Sequence, residues 1–140
     1  MDRKEFLSLM GGSAATIIFA GCLAGCQKSS SSGVAAAPSN VDFTLDLSTS
    51  AYANLNTNGG YIYNQGVIVA RTTSGDFIAV SQNCTHETYR LTFDGARNQF
   101  FCPNHGATFT TTGSVSNGPA RQSLAQYKTS LQGNMLRVYS

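Results

Sequence analysis

Charge is scarce in this sequence: Asp, Glu, Lys and Arg make up 11% of 140 residues, and the formal balance is only +2. The basic side chains are scattered and form no stripe, which excludes the electrostatic footprint of a nucleic-acid binder. Long apolar runs are also lacking. The stretch at 14–24, "AATIIFAGCLA", has 11 residues, far short of the ~20 that span a bilayer as a helix. Tryptophan is absent, and repeats of Ala, Leu, Glu and Lys that would build long helices are missing beyond the first few dozen residues. There is no phosphate-cradling loop and no paired acid and base. What fills the chain instead is Ser, Thr, Asn, Gln and Gly with Val, Ile, Tyr and Phe, a composition suited to strands and turns. The length allows one modest domain.

The N-terminus reads as an address. Residues 2–7, "DRKEFL", supply a basic start, and the short apolar run follows it, the pattern of an export signal. The run ends in "LAGC", Leu23 to Cys26, which resembles the lipobox of bacterial lipoproteins, whose Cys is acylated. "FAGC", ending at Cys22, is the poorer match because Phe19 stands where Leu is usual. "RKEFL" resembles a twin-arginine signal with Arg3-Lys4 in place of Arg-Arg; an ordinary secretory signal is the alternative. These resemblances imply a signal at 1–25, a lipidated Cys26, and an exported chain anchored to a bacterial membrane. Residues 27–40, "QKSSSSGVAAAPSN", lack periodicity and read as a flexible tether.

From Val41 to Ser140 short strands alternate with turns. "VDFTLDL" places Val41, Phe43, Leu45 and Leu47 on one face. "YIY", "VIVAR" and "FIAV" are separated by "NQG" and "TTSGD"; "LTF" and "QFF" flank Asp94-Gly95; a last hairpin folds around Gly133-Asn134. This rhythm predicts an all-β antiparallel sandwich or barrel.

Two motifs interrupt the rhythm. "CTH" delivers Cys84 and His86; "CPNH" delivers Cys102 and His105; 15 residues separate His86 from Cys102. Each pair follows a strand, and the hairpin between them returns the second loop beside the first, as a two-jawed clamp. Three occupants suit two sulfurs and two imidazoles. Zinc accepts them tetrahedrally, although the familiar finger groups Cys with Cys and His with His. A Cys-His dyad would leave one pair idle. A [2Fe–2S] cluster of mixed ligation would use all four, two Cys on one iron and two His on the other.

"CTH" and "CPNHG" at this interval resemble the Rieske signature, "GPAR" from Gly118 resembles that family's proline loop, and "LAQYKTSLQGNMLRVY" its closing hairpin. The resemblance implies a Rieske domain at 41–140 with a cluster-binding subdomain near 82–112. It implies one [2Fe–2S] cluster, with Cys84 and Cys102 on the buried iron and His86 and His105 on the outer one. Pro103 would shape the second loop and Gly106 would allow close backbone approach. One of Phe100 and Phe101 is expected in the core and the other beneath the ligand loops. Arg90 and Arg97 are candidates for a docking patch, although exposed arginines are usually only solvated.

The sequence departs from the quinol-oxidising branch of that family. The branch carries a disulfide between its ligand loops; Tyr89 and Asn104 stand at those positions. It also carries Ser and Tyr hydroxyls that hydrogen-bond sulfur; Ala107 and Phe109 stand there. Fewer donors to sulfur favour the oxidised cluster, which places the expected potential in the lower half of the ~−150 to +300 mV Rieske range. Glu87 would act in the same direction if its carboxylate lies near the ligands; as an ordinary loop charge it would be solvated. The expected function is one-electron transfer with redox partner proteins at the membrane. The alternative is the Rieske subunit of a quinol-oxidising or other oxidoreductase complex, with quinol as its donor.

Overall fold

The computed structural model describes residues 36–140. The export signal, the lipobox and most of the tether lie outside them. No helix of the described residues is long and apolar enough to cross a membrane.

Among the described residues, ten strands form two antiparallel sheets. The larger has the order β1-β10-β9-β4-β3-β2, from Asp42–Asp46 (β1), Met135–Tyr139 (β10), Gln126–Gln132 (β9), Phe77–Ser81 (β4), Val67–Arg71 (β3) and Tyr61–Asn64 (β2). The smaller has the order β5-β6-β7-β8, from Thr92–Asp94, Gln99–Phe101, Thr108–Phe109 and Val115–Asn117. The fold is all-β and antiparallel, as the turn rhythm predicts.

β1 shows the half-buried pattern directly. Phe43 and Leu45 are buried with Val41 and Leu47 at its ends, while Asp42 and Thr44 face water. β3 differs: "VIVA" is buried on both faces. Because side chains alternate across a strand, Val67 and Val69 enter one core, with Phe43, Leu45, Leu55, Leu136 and Val138. Ile68 and Ala70 enter a second core, with Val80, Leu91, Phe93, Phe100, Phe109 and both Cys84 and Cys102. β3 is therefore the wall between a structural core and the core that carries the cysteines, which explains why it reads as a continuous apolar run.

Three features were not legible in the sequence. A seven-residue 3₁₀ helix, Ser50–Asn56, joins β1 to β2 and buries only Leu55. The strands β7 and β8 are two and three residues long. The β5–β6 connection is wider than a two-residue turn: Asp94 pairs with Gln99, and Asp94 Oδ1 accepts the N–H groups of Ala96 and Arg97 at 3.1 and 3.2 Å. Asn98 completes this turn at φ 55°, a conformation that Asn tolerates.

That turn also packs on the loops before β2 and after β3 of the large sheet. A Cβ on Gly95 would lie 2.7 Å from the Cα of Gly59, so two backbones touch with no room for a side chain. Beside this contact, Asn98 Oδ1 accepts the Thr73 N–H at 3.2 Å and Asn58 Nδ2 donates to the Thr73 carbonyl at 3.0 Å.

Candidate metal centre

The two ligand-bearing loops emerge side by side. The first leaves β4 and is closed by Cys84 N–H donating to the Tyr89 carbonyl at 2.8 Å, with a bridge between Asn83 and Arg90. The second leaves β6 and is closed by Cys102 N–H donating to the Ala107 carbonyl at 2.8 Å and by Gly106 N–H donating to the Cys102 carbonyl at 3.0 Å. Gly106 has φ 78°, which only glycine adopts without strain.

The four side chains singled out by the motifs lie in two pairs, sulfur with sulfur and ring with ring. The Cys84 and Cys102 sulfurs are hydrogen-bond neighbours and unbridged. The rings of His86 and His105 meet edge to face, with centroids 5.2 Å apart. Burial is graded across the set: Cys84 is fully buried and Cys102 is 2% exposed, whereas the His105 side chain is 46% exposed. Sulfur faces the protein and nitrogen faces the surface.

Burial pushes the Cys102 thiol above its usual range; the backbone N–H groups of Asn104 and His105 donate to the sulfur and pull it down, and the Cys84 sulfur raises it again. Two sulfurs held this way in a dry pocket need a cation to carry their charge as thiolates. Paired buried sulfurs beneath paired surface imidazoles fit an asymmetric diiron centre, and the donor set matches no dyad.

Around this centre the expected contacts are met in part. Phe100, not Phe101, packs with the cysteines; Phe101 is half-buried and pairs with Thr108. The segment at 118–124 lies against the first loop: Thr85 Oγ1 donates to the Gln122 carbonyl at 2.6 Å, and Ala120 and Leu124 are buried. Arg90 and Arg97 each meet a different partner. The Arg90 guanidinium lies 4.5 Å over the Tyr63 ring, and Arg97 pairs with Asp94 at 3.0 Å, on the turn at the end of the hairpin. Tyr63, which the sequence did not single out, supports the first loop by donating to the Leu91 carbonyl at 2.6 Å.

Two further contacts bear on residues that the sequence raised: Glu87, whose carboxylate lies beside a proposed ligand as one of its two readings had it, and Pro38. Glu87 reaches across to the second loop: its Oε2 accepts from Asn104 Nδ2 at 2.8 Å and lies 3.3 Å from His105 Nε2. Pro38, read as part of the flexible tether, is held by Tyr127, whose hydroxyl donates to its carbonyl at 2.7 Å. Ala36 and Ala37 line a shallow groove with Asn83, Thr85, Gln122 and Ser123.

Comparison with known proteins places this arrangement. The family model of the Rieske [2Fe–2S] domain matches residues 44–128, more than half of the chain. The chain is 35% identical over 76 residues to the cytochrome b6-f complex iron-sulfur subunit of Chlorobaculum thiosulfatiphilum, covering 54% of this chain and 42% of that protein. It is 32% identical over 78 residues to the same subunit of Chlorobaculum tepidum, covering 56% and 43%. The chain thus spans less than half the length of these curated relatives. Among solved structures, the plasma membrane Rieske protein PetC3 from Synechocystis PCC 6803 is similar at TM-score 0.54 and 34% identity, over 64% of this chain and 95% of that one. The Sphingomonas yanoikuyae B1 ferredoxin shares the fold at TM-score 0.52 and 22% identity, over 60% and 88%. With the family model matched over more than half of its length, the chain belongs to the Rieske [2Fe–2S] domain family, whose single cluster carries electrons.

Proposed function

We propose that this protein passes single electrons between redox partners at a bacterial membrane, with Cys84 and Cys102 holding the buried iron of its cluster and His86 and His105 the outer one. When bound, the cluster takes up and releases one electron. The observation that carries the ligand assignment is the burial gradient, with enclosed sulfurs and partly exposed rings. It makes the imidazole edge the side from which a partner exchanges the electron. The chain's own groups do the rest. The Asn104 and His105 backbone N–H groups donate to Cys102 sulfur. Phe100, Phe109, Leu91 and Ala107 close the pocket behind the sulfurs against water. The tie from Thr85 to Gln122 holds the 118–124 segment against the first loop.

Tethering enters through the lipobox-like "LAGC" ending at Cys26, which supports a lipid anchor on the outer side of a bacterial membrane. Partners would then be membrane-bound or exported redox proteins. Isolation of the holoprotein tests the core of this reading. Two irons and two acid-labile sulfides per chain are expected, together with a reduced-state paramagnetic signal of mixed nitrogen–sulfur ligation. One zinc and no iron would overturn it.

A second reading has the chain as the Rieske subunit of a quinol-oxidising complex, favoured by its similarity to cytochrome b6-f subunits. The lack of hydroxyls at Ala107 and Phe109, and of cysteines at Tyr89 and Asn104, argues for the simple carrier. Film voltammetry separates the two. A potential in the lower half of ~−150 to +300 mV supports the carrier, and a high potential with steep alkaline dependence supports the subunit.

A further inference from the structure

We propose that Glu87 is a positioning residue for the cluster. It clasps the two ligand loops together and sets a negative charge against the outer nitrogen of His105, which lowers the reduction potential. This rests on the ligand assignment above.

The geometry has two parts, and one carboxylate oxygen serves both. Glu87 Oε2 accepts from Asn104 Nδ2 at 2.8 Å and lies 3.3 Å from His105 Nε2. Glu87 follows His86 on the first loop; Asn104 and His105 belong to the second. The contact therefore crosses between loops, and it starts from the neighbour of one proposed ligand and ends on the other. Asn104 stands where the disulfide-bearing branch has a cysteine, as Tyr89 does on the first loop. Tyr89 is 47% exposed, and the link to Asn104 comes instead from Glu87, two residues earlier. A charged hydrogen bond occupies the place of a covalent bridge.

The contact with His105 has an electronic consequence. With Nε2 facing the carboxylate, Nδ1 is the nitrogen left for iron. An imidazole bound through one nitrogen carries its hydrogen on the other and donates it to the carboxylate. Such carboxylate–histidine–metal arrangements fix the ring's orientation and make it a stronger donor. An anion beside the ligand also disfavours arrival of the electron. Both effects stabilise the oxidised centre. Glu87 and His105 are about half exposed, with side-chain accessibilities of 56% and 46%, so solvent and salt screen the charge. The shift is therefore modest and depends on ionic strength.

The test compares full-length holoprotein of wild type, Glu87→Gln and Glu87→Ala at one neutral pH. Glu87→Gln keeps an acceptor oxygen for Asn104 and removes the charge. By film voltammetry its potential should lie above wild type, and the difference should narrow as salt is raised. Glu87→Ala removes the clasp as well, and its visible absorbance should bleach several-fold faster on warming. Asp42→Asn, on β1 at the edge of the large sheet, should leave the potential unmoved. A loaded Glu87→Gln protein whose potential matches wild type overturns the electronic role. A Glu87→Ala protein that bleaches at the wild-type rate overturns the clasp. If Glu87→Ala fails to load while Glu87→Gln loads, the clasp is supported, and the potential of Glu87→Gln still decides the charge effect. A wild type without iron and sulfide defeats the Rieske reading itself, an outcome distinct from these.

Discussion

Phe109 and Ala107 share one buried cluster with the two cysteines and contribute no hydroxyl to it. A hydroxyl placed there would be driven to find a partner, because an unpaired buried donor costs about 1–3 kcal/mol. Phe109→Tyr is accordingly expected to raise the potential. A donor to sulfur that is better by about 1 kcal/mol in the reduced state corresponds to roughly 40 mV for one electron. Voltammetry of the variant checks this, and an unmoved potential would mean that the ring edge does not reach sulfur. Cys102→Ser is expected to abolish the visible iron–sulfur absorbance, because Cys84 alone leaves the inner iron one thiolate short of the pair that would hold it. Retention of two irons in that variant would rule Cys102 out as a ligand. The proposed ligands themselves were legible because their information is local: Cys and His two and three residues apart, on loops that follow strands. The Glu87–Asn104 contact was not, since it depends on how two loops lie beside each other, and no spacing along the chain encodes that.

At the scale of elements, the sensitive junction is the backbone contact of Gly59 with Gly95. It seats the β5–β6 turn against the segment that leads into β2. Gly95→Ala would place a methyl 2.7 Å from the Gly59 Cα, and backbone cannot yield as a flexible side chain can. The expected loss is about 1–3 kcal/mol, read as a lower midpoint in denaturant with an unchanged slope. A midpoint equal to wild type would show that the two segments part freely. Alternation and turn residues made β1, β2, β3, β4 and the β9–β10 hairpin readable. β7 and β8 escaped because two or three residues cannot display a period, and their pairing comes from β6 beside them. The 3₁₀ helix escaped for a related reason: Leu55 is its one buried side chain, too little to mark a face.

Across the described residues as a whole, two cores share β3 as a common wall, and the strand at one edge is fastened by charge. Arg137 donates to both oxygens of Asp42 at 2.9 and 2.7 Å, joining β10 to β1. These hydrogen bonds, with the charge of Arg137, hold the Asp42 carboxyl below its ordinary range. The sign follows from linkage: a carboxyl depressed in the folded state contributes stability above its unfolded pKa, and that contribution is lost as pH falls through the folded value. The stability difference between wild type and Asp42→Asn should therefore be present at about pH 6 and shrink towards about pH 3. Thermal unfolding of the two proteins side by side measures it. A difference that is constant with pH would mean that the pair contributes nothing as an ion pair, a result in keeping with many exposed pairs.

The Tyr127 grip on Pro38 holds the first described residues against the domain, and the groove shared by Ala36, Ala37 and Thr85 puts them beside the first ligand loop. The start of the described chain is thereby kept on the same side of the domain as the proposed ligands of that loop.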